Sequence, residues 1–139
     1  KTRAAIHSII PVDTSLGRGI DRLMPALSGR FEAQAMRVPT MNVSAIDLSV
    51  MLSQDTTVAA INAALACAAN GELGGILGVT EELLASCDFN HDSRSGVVDA
   101  SQTRVSGDRL VKVLIWFDNE WGYANRMLEL ARHWIDLRK

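Results

Sequence analysis

Asp118-Asn119-Glu120-Trp121-Gly122-Tyr123 gathers two carboxylates, a carboxamide and two aromatic rings directly behind an alternating apolar run. A strand that gives way to a helix turns side chains and backbone amides outward at the junction. Asn119 there offers donors and an acceptor together, which suits reading another carboxamide. The competing reading is a helix N-cap by Asp118 or Asn119, with the aromatics serving only to pack. Arg37 is the second candidate. It lies late in an apolar alternating stretch and precedes Val38-Pro39. A guanidinium at a strand end must pair or reach solvent, and its planar fork matches phosphate. The alternative for Arg37 is a structural ion pair with Asp47 on the neighbouring strand.

Other groupings carry less. Asp88-Phe89-Asn90-His91-Asp92 imitates the start of a calcium loop. Ser93 stands where the loop needs glycine, and Asp99 where it needs a bidentate glutamate. One nearby histidine is too few for a transition metal. A hydrogen-bonded corner is therefore expected, and no metal site. No G-x-S-x-G elbow singles out a nucleophilic serine. The dinucleotide fingerprint G-x-G-x-x-G is also absent, because Arg22 replaces the third glycine after Gly17-Arg18-Gly19. Cys67 and Cys87 have apolar neighbours and no metal-ligand spacing, so both are expected as buried thiols in a reducing compartment.

The elements that must position these residues follow from periodicity. Thr14 can cap a helix over 14–24, with Leu16, Ile20, Leu23 and Met24 on one side and Pro25 and Ser28-Gly29 as its stop. Alternation predicts strands over 30–38 and 43–52. The four residues Pro39-Thr40-Met41-Asn42 are too short for a helical crossover, which predicts antiparallel neighbours. Asp55-Thr56-Thr57 opens a second helix. Val58, Ile61, Leu65 and Ala68 form its stripe, and Asn70-Gly71 closes it. Short strands are expected over 84–88 and 96–99. A strand over 109–117 carries the stripe Val111, Val113, Ile115 and Phe117. The last helix is expected over 120–137, with Ala124, Leu128, Ala131 and Ile135 inward. This order indicates α+β, a largely antiparallel sheet with helices on one face, rather than a doubly wound fold.

The 139 residues are 47% hydrophobic and 22% charged, with net charge −2. That is enough apolar content for one domain with a core. Scattered basic residues and a slight negative charge argue against a nucleic-acid partner. No apolar run approaches the ~20 residues of a membrane helix, so no membrane partner is expected. The opening Lys1-Thr2-Arg3 is followed by no apolar leader segment. The chain is expected to be a piece of a longer protein.

Several motifs then line up in order. They are Ser8-Ile9-Ile10-Pro11; Met36-Arg37-Val38-Pro39-Thr40-Met41-Asn42-Val43-Ser44; Gly75-Ile76-Leu77-Gly78 with Thr80-Glu81; residues 86–90; and Trp116-Phe117-Asp118-Asn119-Glu120-Trp121-Gly122-Tyr123-Ala124-Asn125-Arg126. Together they resemble the glyceraldehyde-3-phosphate dehydrogenase family, in register over nearly the whole chain. The resemblance implies an N-terminal nicotinamide-binding domain and a C-terminal catalytic domain, assembled as a cytoplasmic homotetramer. On that reading residues 1–118 are catalytic domain with its first part lying upstream. Residues 119–139 form the C-terminal helix that docks on the cofactor domain.

The resemblance also implies roles. Arg37 binds the substrate phosphate. Thr14 and Ser15 line the second anion site, where phosphate attacks in phosphorylating relatives. Lys1 stands where relatives often have a phosphate-contacting arginine; the charge is kept and the bidentate fork is lost. Asn119 holds the nicotinamide carboxamide of NAD, and Tyr123 packs near the ring. The nucleophilic cysteine and the histidine that activates it are expected upstream, so no catalytic residue is assigned in this chain and the chain alone is expected to be inactive. The family reaction passes through a thiohemiacetal and a thioester released by phosphate or water.

Within the family, the erythrose-4-phosphate branch is favoured by Pro11-Val12-Asp13-Thr14, by Asp88-Phe89-Asn90-His91-Asp92 and by the stretch 99–107. A carboxylate at Asp13 repels an incoming phosphate and leaves water to release the acid. That chemistry gives 4-phosphoerythronate, on the route toward pyridoxal phosphate. The alternatives are a glyceraldehyde-3-phosphate dehydrogenase and a non-catalytic assembly module.

Overall fold

The computed structural model describes residues 5–138. The chain divides into two compact units, Lys1–Met41 and Asn42–Lys139. Lys1 and its expected phosphate contact lie outside the described residues.

In the first unit, a 3-10 turn at Ala5–His7 leads into strand β1 (Ile10–Val12) and helix α1 (Leu16–Leu23). A second 3-10 turn at Pro25–Leu27 follows, then strand β2 (Ala35–Arg37). The helix is capped one residue later than expected. Ser15 occupies the cap position without a capping side-chain bond, while Thr14 Oγ1 accepts from the Leu16 amide at 3.2 Å. Asp21 Oδ1 accepts from the amide of Gly29, whose φ of 71° fits a residue without Cβ. β1 and β2 pair antiparallel, with Ile10 opposite Arg37 and Val12 opposite Ala35.

That pairing corrects one expectation. The strand after the Pro39–Asn42 link, β3 (Ser44–Met51), does not pair with β2; it lies at the edge of a different sheet beside β6 (Leu110–Phe117). Pro39 and a left-handed Val43, with φ of 69°, break the hairpin geometry that a short link would otherwise favour.

The second unit is a four-stranded sheet in the order β3-β6-β5-β4, where β4 is Leu77–Thr80 and β5 is Gly96–Ser106. Only the β4–β5 pair is parallel. A parallel pair demands a crossover, and residues 81–95 supply it. The strand expected over 84–88 is therefore a 3-10 turn, Ser86–Phe89, inside that crossover. Helix α2 (Val58–Asn70) starts as expected, with Thr57 Oγ1 accepting from the Ala60 amide at 3.2 Å. Its Ile61 and Leu65 pack on the sheet face that carries Val98, Val111 and Val113. The opposite face buries Val97 and Phe89, whose ring stacks on Trp116 at 5.7 Å. The architecture is thus α+β, with a mostly antiparallel sheet and three helices.

Strand β5 runs well past the expected Asp99. Its register with β6 shifts between Asp99 and Arg104. There the Asp99 carboxylate turns back onto the Ser101 amide and hydroxyl, and Asn62 of α2 donates to the Ala100 carbonyl. The bulge hides the strand's second half from a test for strict alternation. The cysteines also depart from expectation, since Cys67 and Cys87 are both exposed. Cys67 lies off the Ile61–Leu65 stripe of its helix, and Cys87 sits in the crossover turn. Apolar neighbours in sequence did not translate into burial.

Candidate functional site

The first unit presents Arg37, Thr14 and Ser15 from one small ribbon. Arg37 closes β2 with its side chain exposed. Among the described residues it forms neither a hydrogen bond nor an ion pair. The carboxylate proposed as its structural partner, Asp47, is held instead by Lys112, with Nζ to Oδ2 at 2.9 Å. Strand β1 opposite Arg37 runs directly into Asp13, Thr14 and Ser15. Asp13 and Thr14 line an open pocket of about 250 Å³ with Pro11, Val12, Ala33 and Gln34. Ser15, uncommitted as a cap, stands at the N-terminus of α1, where backbone amides and the helix dipole favour an anion. Asp13 works against that preference, and no ion pair joins it to Arg18 among the described residues.

The second unit builds its site around Asp118, which is 2% exposed. Its Oδ1 accepts from the Trp121 amide at 3.0 Å and so caps helix α3 (Asn119–Asp136). The N-cap reading is therefore correct for Asp118. Its Oδ2 accepts from the His91 amide and from Asn42 Nδ2, each at 2.9 Å. The Trp121 amide, then the His91 amide, hold the carboxyl below the usual carboxylate range; burial opposes them, and Asn42 and the Glu120 amide add smaller pulls.

Asn119 is the next residue. It is exposed, and among the described residues its side chain makes no hydrogen bond. Tyr123, one turn further along α3, is 66% exposed. An exposed carboxamide with an accessible aromatic one turn away can hydrogen-bond an amide and cover a flat ring. The capping function belongs to Asp118 and not to Asn119.

The corner expected at 88–92 is present and fully engaged. Asp88 accepts from the Ala85 amide, Asn90 accepts from Asn42, and Asp92 binds Arg94 through Nε at 2.9 Å. No group of three or more metal-ligating side chains occurs among the described residues. No helix among them is long and apolar enough to cross a membrane.

The sequence did not reveal Asn42 and His91 as partners of Asp118. Asn42 lies 76 positions away from it, and its hydrogen bonds depend on tertiary closure. The only local signal was Asn beside a β-branched residue in a turn. The second unit's helix α3 is anchored elsewhere too. A Cβ at Gly122 would stand 3.0 Å from the Arg94 carbonyl, so glycine permits the helix to lie against the crossover. Arg126 reaches the Ser93 carbonyl at 3.3 Å. Beyond that point the expected inner face is uncovered, with Leu128 and Ile135 both 61% exposed.

The model of the glyceraldehyde 3-phosphate dehydrogenase C-terminal domain matches residues 1–119.

Proposed function

This chain belongs to the glyceraldehyde 3-phosphate dehydrogenase family, and on that premise we propose that it is the substrate-side part of an NAD-dependent erythrose-4-phosphate dehydrogenase. The complete protein is proposed to be a cytoplasmic homotetramer that oxidises erythrose 4-phosphate to 4-phosphoerythronate, on the route to pyridoxal phosphate. Arg37 binds the phosphate of the sugar with its free guanidinium fork. Thr14 and Ser15 hold the species that releases the acyl group from the enzyme's cysteine. Asn119 orients the nicotinamide carboxamide, and Tyr123 shields the ring from water. NAD, when bound, supplies the hydride acceptor.

The observation that carries the choice of substrate is Asp13 in the same pocket as Thr14. An inorganic phosphate must dock there as an anion before it can attack. A carboxylate a few Å away opposes it by ~1 to 4 kcal/mol, depending on how far water screens the pair. Water carries no charge and is not repelled. The pocket therefore favours hydrolysis over phosphorolysis, and the product is the free acid.

Replacing Asp13 with Ser in the full-length enzyme tests this. NADH formation is followed with and without phosphate, at saturating erythrose 4-phosphate and with acyl release shown to limit the rate. The phosphate-dependent rate is expected to rise roughly tenfold or more, while the hydrolytic rate barely moves. An unchanged phosphate dependence removes the basis for the erythrose assignment. A parent enzyme already dependent on phosphate would favour the glyceraldehyde substrate.

A further inference from the structure

An N-cap needs one oxygen for one amide, and Asp118 Oδ1 already serves the Trp121 amide. The second oxygen does nothing for the helix. It collects the Asn42 side chain from the link before β3 and the His91 amide from the crossover after β4. Two segments distant in sequence are thereby fixed to the residue just before Asn119. The same Asn42 Nδ2 also donates to Asn90 Oδ1. The His91 ring lies 4.8 Å from the Trp121 ring, which adds a contact on the first turn of α3.

The backbone around this node is strained. Val43, next to Asn42, has φ of 69°, and His91 has φ of 60°. A β-branched residue rarely enters the left-handed region, and such conformations are costly. Both lie where they aim a donor at the same carboxylate oxygen. Strain of this kind persists where the surroundings over-determine a geometry.

We infer that Asp118 and Asn42 are positioning residues for Asn119, fixing the first turn of α3 so that the Asn119 amide meets the nicotinamide carboxamide. This rests on the reading of Asn119 given above. Neither residue touches the cofactor. A tilt of the first turn by about 10° moves a side-chain tip by roughly 1 Å, enough to lose a hydrogen bond whose useful range spans about half an ångström.

The test compares binding of NAD and of ADP-ribose to the full-length enzyme by calorimetry. ADP-ribose lacks the nicotinamide, so the ratio of the two affinities reports the contacts made to that ring, and the Asn119 variant sets the share due to Asn119. Asn119→Ala serves as the reference. Asp118→Asn keeps a capping oxygen, since Asn caps helices as well as Asp, but sets an NH2 against the His91 amide. Asn42→Ala removes one donor and leaves the cap untouched. Circular dichroism checks that helix content is retained.

Asn119→Ala is expected to weaken NAD relative to ADP-ribose by up to about tenfold. Asp118→Asn and Asn42→Ala are each expected to shift the ratio the same way by several-fold, with ADP-ribose affinity unchanged. Equal weakening of both ligands, or no change, in these two variants while Asn119→Ala moves the ratio would overturn the positioning role and leave a structural cap. An unmoved ratio in Asn119→Ala sinks the reading of Asn119 first, and this inference with it.

Discussion

The two units present polar side chains in opposite ways. In the first, no described residue is fully buried, and Arg37, at the end of a three-residue strand, has no hydrogen bond or ion pair among the described residues. In the second, Asp118 is buried and holds three donors from three segments. On the proposed roles, Arg37 would reach a charged ligand from an exposed strand end, whereas Asn119 would meet a neutral amide at hydrogen-bond distance and follows a residue held by a network. The proposed difference in ligand charge would match the difference in framework.

The contrast predicts its largest effect at Asp118. Asp118→Ala removes the cap of α3, worth ~0.5–2 kcal/mol. It also leaves the His91 amide without its acceptor, at ~1–3 kcal/mol, while Asn42 Nδ2 keeps Asn90 Oδ1. A combined loss of roughly 1.5–5 kcal/mol should show in urea unfolding. A loss below about 1 kcal/mol would mean that water replaces the carboxylate and that the second unit is no more tightly specified than the first.

Arg37→Ala should leave the fold alone and change binding. Its loss removes a charge-assisted contact, ~1.5–3 kcal/mol, which corresponds to a rise in KM for the sugar phosphate of about tenfold to a hundredfold. KM for NAD should stay within about twofold, since no charge-assisted bond to NAD is removed. Unchanged kinetics in a well-folded variant would show that the phosphate is held elsewhere, and that a free arginine is no guide to an anion site here.

Acid should separate the units more gently. Asp118 and Asp92 are both held below the usual carboxylate range, Asp118 first by the Trp121 amide and Asp92 first by the Arg94 side chain. A carboxyl with a lowered folded-state pKa contributes its full stability above the unfolded value near 3.9. The contribution is lost as pH falls through the lower folded-state value. Both of these carboxylates lie in the second unit, so this acid-dependent loss is expected there. Asp118→Asn should flatten the dependence of stability on pH below about 4. The effect is smaller than truncation because a protonated carboxyl keeps an accepting oxygen. A variant whose acid profile matches the parent's would assign the loss to Asp92 alone.

Local rules made the regular elements legible. Thr57 and Gly71 bracket α2 as their types suggest, and the Val111-Val113 stripe gave β6 its buried side. Failures came where a distant partner decided the outcome. The link 39–42 is short enough for a hairpin, yet each of its flanking strands found another neighbour. β4 escaped notice because it has four residues and its Gly78 contributes no side chain; the space a Cβ would fill there is taken by the Arg94 guanidinium. Asn119 and Arg37 stood out as candidates because their chemistry is unusual for their neighbours, and both side chains are exposed. Asn42 and His91 did not, because their importance comes from meeting Asp118.

The smallest predicted effect tests whether the two units are independent. Asp47 was the natural alternative partner for Arg37, and it is bound instead to Lys112, both side chains being more than half exposed. An exposed pair of this kind is worth ~0.2–1 kcal/mol and weakens with salt. Asp47→Asn should therefore cost the protein less than about 1 kcal/mol. It should leave KM for the sugar phosphate unchanged, since Lys112 can turn to solvent while Arg37 loses nothing. High salt should erase even the stability difference. If KM rises instead, Arg37 draws its orientation from the second unit in the working enzyme. The free-standing anion site would then depend on the sheet, and the division between a loosely held cation and a tightly held amide would fail on its first half.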